Sequence, residues 1–567
     1  MSLWQRLILT RRYAPFLVLG VSQLVLVMVA PSVGLTNVNA PAGIFNPNGT
    51  DQGNGAQATN TPGGQGAAAG GAAGGSGGAA GGAGSGAGAA GGGPRTALGI
   101  PTTGDTSHCV GGKQFGDLTT APPCVPKWPG GNNGGATYQG VTATSITVVY
   151  YREKDNPVVK QIEQQINVYS DPGDQDRFRA AAEKFINAKY EFYGRKLHLV
   201  FFQGSCDPSP PQEDCFRNDV RTLNTQYHPF GVIYENNTAI PWFFQEATRL
   251  NIVNMGGWHY GDNVFNIPQR PYHYDVYMGG DSQAQITAEY WCKKLEGKPA
   301  RFAGDAVMKT KTRKLAVVTI DTPFNKPSAQ HLVDLVNHCD PNGARLETYA
   351  SDITTATTQA NTTVHNLSTA GITSVFFFGD PIAPLYFTKA CTSQQYFPEH
   401  VLVGSGLIDY DLLARLYDPQ QWKHAFGPSD IPTSVSYDKS DGGIVWHWAG
   451  NTSTPYPGVN LPWSYFNLMA NGLQAAGPHL TPQTLEYGAF NSPAINDYKQ
   501  THDQYHAQTV IRPGKYTAIT DQREVYWDAN ATSPIDGKAG AYIPLNEGRR
   551  YAPGDWTTGE PTLPPGV

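Results

Sequence analysis

The chain of 567 residues carries little charge for its size, 15% Asp, Glu, Lys and Arg, and contains no basic run. At a net charge of -6, nucleic acid and anionic membrane surfaces are excluded as electrostatic partners, and a small uncharged or cationic partner remains. Seven cysteines include no CxxC pair and no Cys/His cluster at zinc spacing, so the sequence offers no metal site and implies no cofactor. There is no GxSxG elbow outside low-complexity sequence, no HExxH and no P-loop, and the acids are not paired at a catalytic spacing. These absences point to a binding protein rather than an enzyme.

What is abundant is glycine, 64 residues, and proline, 43, and much of the glycine falls in the first quarter. Residues 1–40 begin with Arg6, Arg11 and Arg12, run through an apolar stretch from Phe16 to Ala30, and reach the small-x-small site Ala40-Pro41-Ala42. That is the pattern of a secretory signal. Left uncleaved and extended to Leu35, the same segment is long enough to anchor the chain in a bilayer, so both readings stand. Either one exports the rest, to the cell surface or another extracytoplasmic space. Residues 41–103 include a stretch, Gly63 to Gly93, made only of Gly, Ala, Ser and one Gln. Such a composition cannot bury enough apolar surface to offset the entropy of ordering, and predicts a disordered tether with a reach of roughly 30 Å. In an exported chain the short separations Cys109 to Cys124 and Cys206 to Cys215 favour two local disulfides, the first closing an extension over residues 104–140. Cys292, Cys339 and Cys391 remain, one of them odd.

From about Gly140 apolar strand-like runs alternate with helical stretches. SITVVYY (145–151) is followed by a helix in which Phe178, Ala181, Ala182, Phe185 and Ile186 share one face, then by KLHLVFF (196–202), FGVIY (230–234) and NIVNM (251–255). The pattern repeats with KLAVVTI (314–320), ARLETYA (344–350), ITSVFFF (372–378) and HVLVGS (400–405). The fold class is therefore α/β, two doubly wound parallel-sheet lobes. In ITSVFFFGDPIAP the strand stops at a turn where Gly379 permits a tight exit, Asp380 can cap the next helix and Pro381 suits its first turn. Capping and ligand binding are both open to Asp380.

The order of these elements resembles the type I periplasmic (solute) binding proteins related to leucine/isoleucine/valine-binding proteins. The resemblance covers roughly residues 136 to 550. It rests on GVTATSITVVYY, FINAKYEFYGRKLHLVF, RPYHYDVYMGGDS, YFTKACTSQQYFPEHVLVGSGL and FNLMANGLQAAGPHLTP. GGNNGGATYQGVT, AEYWCKKLEGKPA, GDPIAP and RLYDPQQWKHAFGPS make it similar to an actinobacterial ABC transporter substrate-binding subgroup. The resemblance implies two lobes joined by a hinge. Lobe I covers 141–280 with a return segment at about 425–500, and lobe II covers 281–424 with a C-terminal segment at about 501–567. It implies a polar small-molecule ligand, with an apolar or aromatic face, taken up between the lobes, and an ABC permease as partner.

Carried onto this chain, the ligand-facing positions of lobe I are Tyr151, Arg152, Gln203, Asn236, Asn237, Thr238, Gly257, Trp258 and His259. Those of lobe II are Thr322, Phe324, Asp380, Ser405 and Asp409. For Trp258 a packed aromatic under a loop, and for His259 a solvated loop histidine, are the plain alternatives. The chain departs from amino-acid-binding relatives, lacking a second hydroxyl in NMGGWHYG and having Phe324 and Asn325 in place of Tyr-Gly, which argues against a branched-chain amino acid. The resemblance also sets the helices carrying Cys292 and Cys339 side by side, implying a third disulfide and a free Cys391.

Overall fold

The structure, a computed structural model, describes residues 97–564 apart from 166, 236–239, 405, 503 and 504. The expected signal or anchor, and the tether up to residue 96, lie outside the described residues; the end of the expected tether is packed instead, Ile100 being buried with Val125 and Tyr193 and Leu98 lying against them. Among those described, no helix is long and apolar enough to cross a membrane.

Lobe I is built on five parallel strands, β1 (Ser145–Arg152), β2 (Lys196–Gln203), β3 (Gly231–Tyr234), β4 (Val253–Met255) and β5 (His273–Tyr274), in the order β2-β1-β3-β4-β5. Between them run the longer helices α1 (Pro157–Gln165), α2 (Pro172–Lys189), α3 (Glu213–Tyr227) and α4 (Pro241–Arg249). The residues that α2 buries are Phe178, Ala181, Ala182, Phe185 and Ile186, the face read from its spacing. Asp171 starts this helix by accepting the Asp174 N–H, with Pro172 in the first turn.

Lobe II opens with α5 (Gly280–Tyr290) and repeats the winding with β6 (Leu315–Ile320), β7 (Ala344–Tyr349), β8 (Ser374–Phe378), β9 (Glu399–Val401) and β10 (Ala425–Ser429). Its intervening helices are α6 (Lys326–Asn337), α7 (Ala356–Thr369) and α8 (Ala383–Ser393). The parallel part of the sheet runs β7-β6-β8-β9-β10, the same order as lobe I. β6 and β8 are buried along their whole length, as continuous apolar runs covered on both faces should be. Beyond β10 the sheet continues antiparallel through β11 (Gln522–Thr532) and β12 (Ala539–Pro544), with β13 (Arg550–Tyr551) also paired to β11.

One boundary moves. Residues 425–429 do not begin the return to lobe I; they form β10, paired in parallel with β9 through Ala425 and His400. The return comes later, in α9 (Asp441–Trp448), α10 (Asn460–Ala475) and α11 (Pro482–Phe490), whose Trp446, Trp463 and Phe466 pack with Phe178 and Phe185 in lobe I. It extends past residue 500, since Ile511, Tyr516 and Ala518 join the same core.

The first and last crossings between lobes lie side by side, joined from Asp275 N–H to the Tyr516 carbonyl and from Ala518 and Ile519 N–H to the carbonyls of Asp275 and Val276. The middle crossing is held where Arg550 donates to the Asp430 and Ile431 carbonyls. Three disulfides join Cys109 to Cys124, Cys206 to Cys215 and Cys292 to Cys339, while Cys391 is free and buried. The disulfide-closed extension packs on lobe I through Phe115 and Leu118.

Candidate functional site

The carboxyl end of the lobe II sheet opens into a crevice that residues of lobe I close from the other side. Val318 of β6, Tyr349 of β7 and Phe377 of β8 form its floor, α7 and α8 contribute Ala356, Ala360 and Phe387, and Val159 and Ser209 come from lobe I. Its unfilled space, open mouth included, is about 690 Å³. Parallel sheets place ligands at this edge because the connecting loops diverge there.

Asp380 lines the crevice, and its carboxylate is already engaged. Oδ1 accepts the N–H groups of Ile382 at 2.8 Å and Ala383 at 2.9 Å, where the chain enters α8. Oδ2 accepts the Tyr349 hydroxyl at 2.7 Å. Burial, and then the Asp380 charge, raise the Tyr349 phenol well above its ordinary pKa, so it stays a donor. Asp380 thus holds the turn that leads into α8 rather than the N-cap position itself, which is Ile382, and the proline in the first turn is Pro384 rather than Pro381; the same carboxylate fixes Tyr349 as one wall of the crevice.

On the lobe I side, Asn156 accepts the N–H groups of Val158 and Val159 at the start of α1 and donates to Asp207 at 2.8 Å and to the Ser209 carbonyl at 2.9 Å. One side chain therefore ties Val159 to the loop that the Cys206–Cys215 disulfide closes, and that loop presents Ser209. Behind this wall lie three partly buried carboxyls at the carboxyl edge of lobe I. Burial pushes Glu153 and Glu163 up to about 7 and Glu235 up to about 8. Tyr234 donates to Glu153 and Tyr150 to Glu235. Arg152 is held away from the crevice by its ion pair with Asp155 at 2.6 Å.

Of the remaining positions inferred from the sequence, few reach the crevice. Tyr151 points into the lobe I core, its ring between Tyr234 and Phe243 and its hydroxyl on Asp219 at 2.8 Å, so it supports the sheet. Gln203 sits exposed at the end of β2, donating to the Arg152 and Glu153 carbonyls. Thr322 bonds Asn325 within the turn that starts α6. Phe324 packs on Phe265, with ring centroids 5.0 Å apart. Asn236, Asn237, Thr238 and Ser405 lie outside the described residues.

Gly257, Trp258 and His259 form the loop where the lobes touch. Gly257 has φ +150°, and a Cβ there would lie 2.5 Å from Asp275 Oδ2, so only glycine fits. Trp258 is 1% exposed, its carbonyl accepts from Asn325 of lobe II at 2.8 Å, and its Nε1 has no partner among the described residues. His259 is equally buried, neither solvated nor lining the crevice. The packed alternative holds for the tryptophan. Near this loop Asp409 is 2% exposed and neither carboxylate oxygen has a close, well-aligned donor; burial raises its pKa.

The lining residues not anticipated from the sequence are mainly Val159, Ser209, Tyr349, Ser351, Asp352 and Phe387. Tyr349 ends β7 and Ser351 and Asp352 follow it, so the loop after the second strand of lobe II was the signal that could have found these three.

No protein-family model matches the chain, and no curated protein is significantly similar to it. Solved structures do resemble it. A solute-binding protein of an ABC transporter from Rhodopseudomonas palustris HaA2, in complex with p-hydroxybenzoic acid, aligns at 10% identity over 73% of this chain and 98% of that one, with a TM-score of 0.50. A branched-chain amino acid ABC transporter protein from Thermus thermophilus with bound valine aligns at 12% identity over 72% and 97%, with a TM-score of 0.48. A possible leucine/isoleucine/valine-binding protein from Rhodopirellula baltica SH 1 aligns at 8% identity over 71% and 97%, with a TM-score of 0.46. The Rhodopseudomonas likeness and the two identically wound lobes agree with the order of elements read from the sequence: this chain has the type I periplasmic binding protein fold.

Proposed function

We propose that the chain is an extracytoplasmic solute-binding protein that takes a small molecule into the interlobe crevice, closes on it about the hinge and releases it unaltered to an ABC permease. The observation that carries this reading is the crevice itself, with walls from both lobes at the carboxyl edge of the lobe II sheet. A ligand touching both walls stabilises the closed arrangement over the open one, and that differential affinity is the signal a partner reads. The N-terminal segment is the proposed membrane attachment.

A ligand-sensing receptor is the second reading, favoured by the long Gly/Ala stretch between the apolar segment and the lobes. Both readings require reversible binding. A thermal-shift screen of the full-length protein against amino acids, amides, sugars, polyamines and aromatic compounds tests it, since a ligand bound only by the folded state raises the apparent stability. A shift that Val159→Trp abolishes by filling the crevice supports the proposal. Conversion of a bound compound to product, or no shift with any class, ends it.

A further inference from the structure

The crevice has an aromatic wall and a second space behind it. Tyr349 and Phe377 lie with ring centroids 5.6 Å apart, and Phe377 and Phe387 with centroids 5.8 Å apart. On the far side of that last pair is a small cavity, with room for about one water molecule as it stands, lined by Val375, Leu402, Ile408 and Trp422 among others. Phe377 and Phe387 line both spaces, so these two rings are the partition. Phe377 is fixed in the middle of a sheet, whereas Phe387 sits on α8 and its ring can turn about its own side-chain bonds.

The charges of the crevice are of one sign. Among the described lining residues the charged groups are the carboxylates of Asp352 and Asp380, with no Lys or Arg. An anionic ligand would enter a partly desolvated space facing two like charges with no cation to offset them. A neutral or cationic ligand would not.

Resting on the solute-binding reading, we propose that the crevice selects an apolar alkyl or aryl amine or alcohol over the matching carboxylate, and that Phe387 sets how long its apolar part can be. A short tail lies against the three rings; a longer one turns Phe387 aside and takes the place of its ring, reaching into the small cavity bounded by Ile408.

Titration calorimetry on the full-length protein, with n-alkylamines of four to ten carbons and the corresponding alkanoates, tests this. Each amine is expected to bind at least about tenfold more tightly than its matched acid. Affinity should rise about threefold to fourfold per methylene and then level off. Phe387→Leu, which opens the partition, should move that levelling to longer chains, and Ile408→Phe, which fills the void, to shorter ones. Circular dichroism melts of both variants establish that they are folded, and Leu402→Phe serves as a second filler if Ile408→Phe is not. Acids binding as well as amines, or the same levelling point in wild type and folded variants, overturns the proposal. If neither series binds while another solute from the screen does, the ligand class falls and the solute-binding reading stands.

Discussion

His259 Nε2 accepts a hydrogen bond from the Gly406 backbone N–H at 3.0 Å, joining the loop after β4 in lobe I to the loop after β9 in lobe II. The other ring nitrogen, Nδ1, lies 3.0 Å from the Met278 carbonyl and therefore carries the proton. The ring is neutral and spans the lobe contact, with Gly406 held in place at φ +62°, where a Cβ would collide with the Gly379 carbonyl. Gly261 N–H bonding to the Phe324 carbonyl at 2.9 Å is a second such link.

The first prediction concerns pH. Burial pushes His259 down to about 4, whereas in the unfolded chain it titrates near 6.5. Its folded pKa is depressed, so its contribution is complete above about 6.5 and is lost as pH falls from there towards 4, because only the unfolded state takes up the proton. Urea unfolding at pH 7.5 and 5.0 should show wild type losing about 2 kcal/mol more than His259→Gln over that interval. Equal losses would show that the buried ring carries no such linkage.

Asp380 tests the wall of the crevice. Asp380→Ala removes the acceptor for two N–H groups at the entry to α8 and for the Tyr349 hydroxyl. The expected cost is about 1–2 kcal/mol by chemical denaturation. Asp380→Asn, which keeps a capping oxygen, should lose less than half of that.

Within lobe II, Arg313 and Glu399 form a fully buried bidentate pair at 2.8 and 2.9 Å, and Ser374 donates to Glu399 at 2.6 Å. Glu399→Ala leaves the guanidinium in the interior without its main partner and should destabilise the protein by about 3–5 kcal/mol. Glu560 also meets Arg313 at 2.7 Å but is partly exposed, so Glu560→Ala should cost clearly less. Comparing the two melts orders the pair.

The Cys292–Cys339 disulfide spans a sequence separation of 47 and staples the end of α5, through its π-turn, to the end of α6. Closing a loop of that length restricts the unfolded chain by about 4 kcal/mol in the chain-entropy treatment. Replacing both cysteines by alanine should lower stability by up to that amount and leave lobe I unfolding at its wild-type midpoint, as read by fragment-resolved hydrogen exchange.

Local pattern exposed much of this architecture. SVFFF and LAVVTI read as strands covered on both faces because nothing in them is suited to water, and the helix carrying Phe178 and Phe185 showed its inner face at a spacing of three and four. AFGPS was misplaced for the converse reason. A five-residue run containing Gly and Pro has no pattern of its own, and it becomes β10 only because β9 and β11 pair with it from positions distant in the sequence.

The site was less legible. Tyr151 stands at the end of a strand, where ligands are met, but its ring turns inward onto Phe243 and Asp219. Trp258 and His259 do lie at the lobe contact, yet they hold it together rather than line the crevice. Val159 and Ser209 carry no local signal at all; they line the crevice because Asn156 and a disulfide bring their segments to the other lobe.

The residues alone determined the two wound halves, the turn held by Asp380 and the local cysteine pairs, because apolar periodicity, turn chemistry and short loop closure act between near neighbours along the chain. The hinge crossings, the partition at Phe387 and the latch at His259 were decided by tertiary structure. Each depends on which surfaces meet when two separately encoded sheets are set edge to edge, and that meeting is written in no single stretch of sequence.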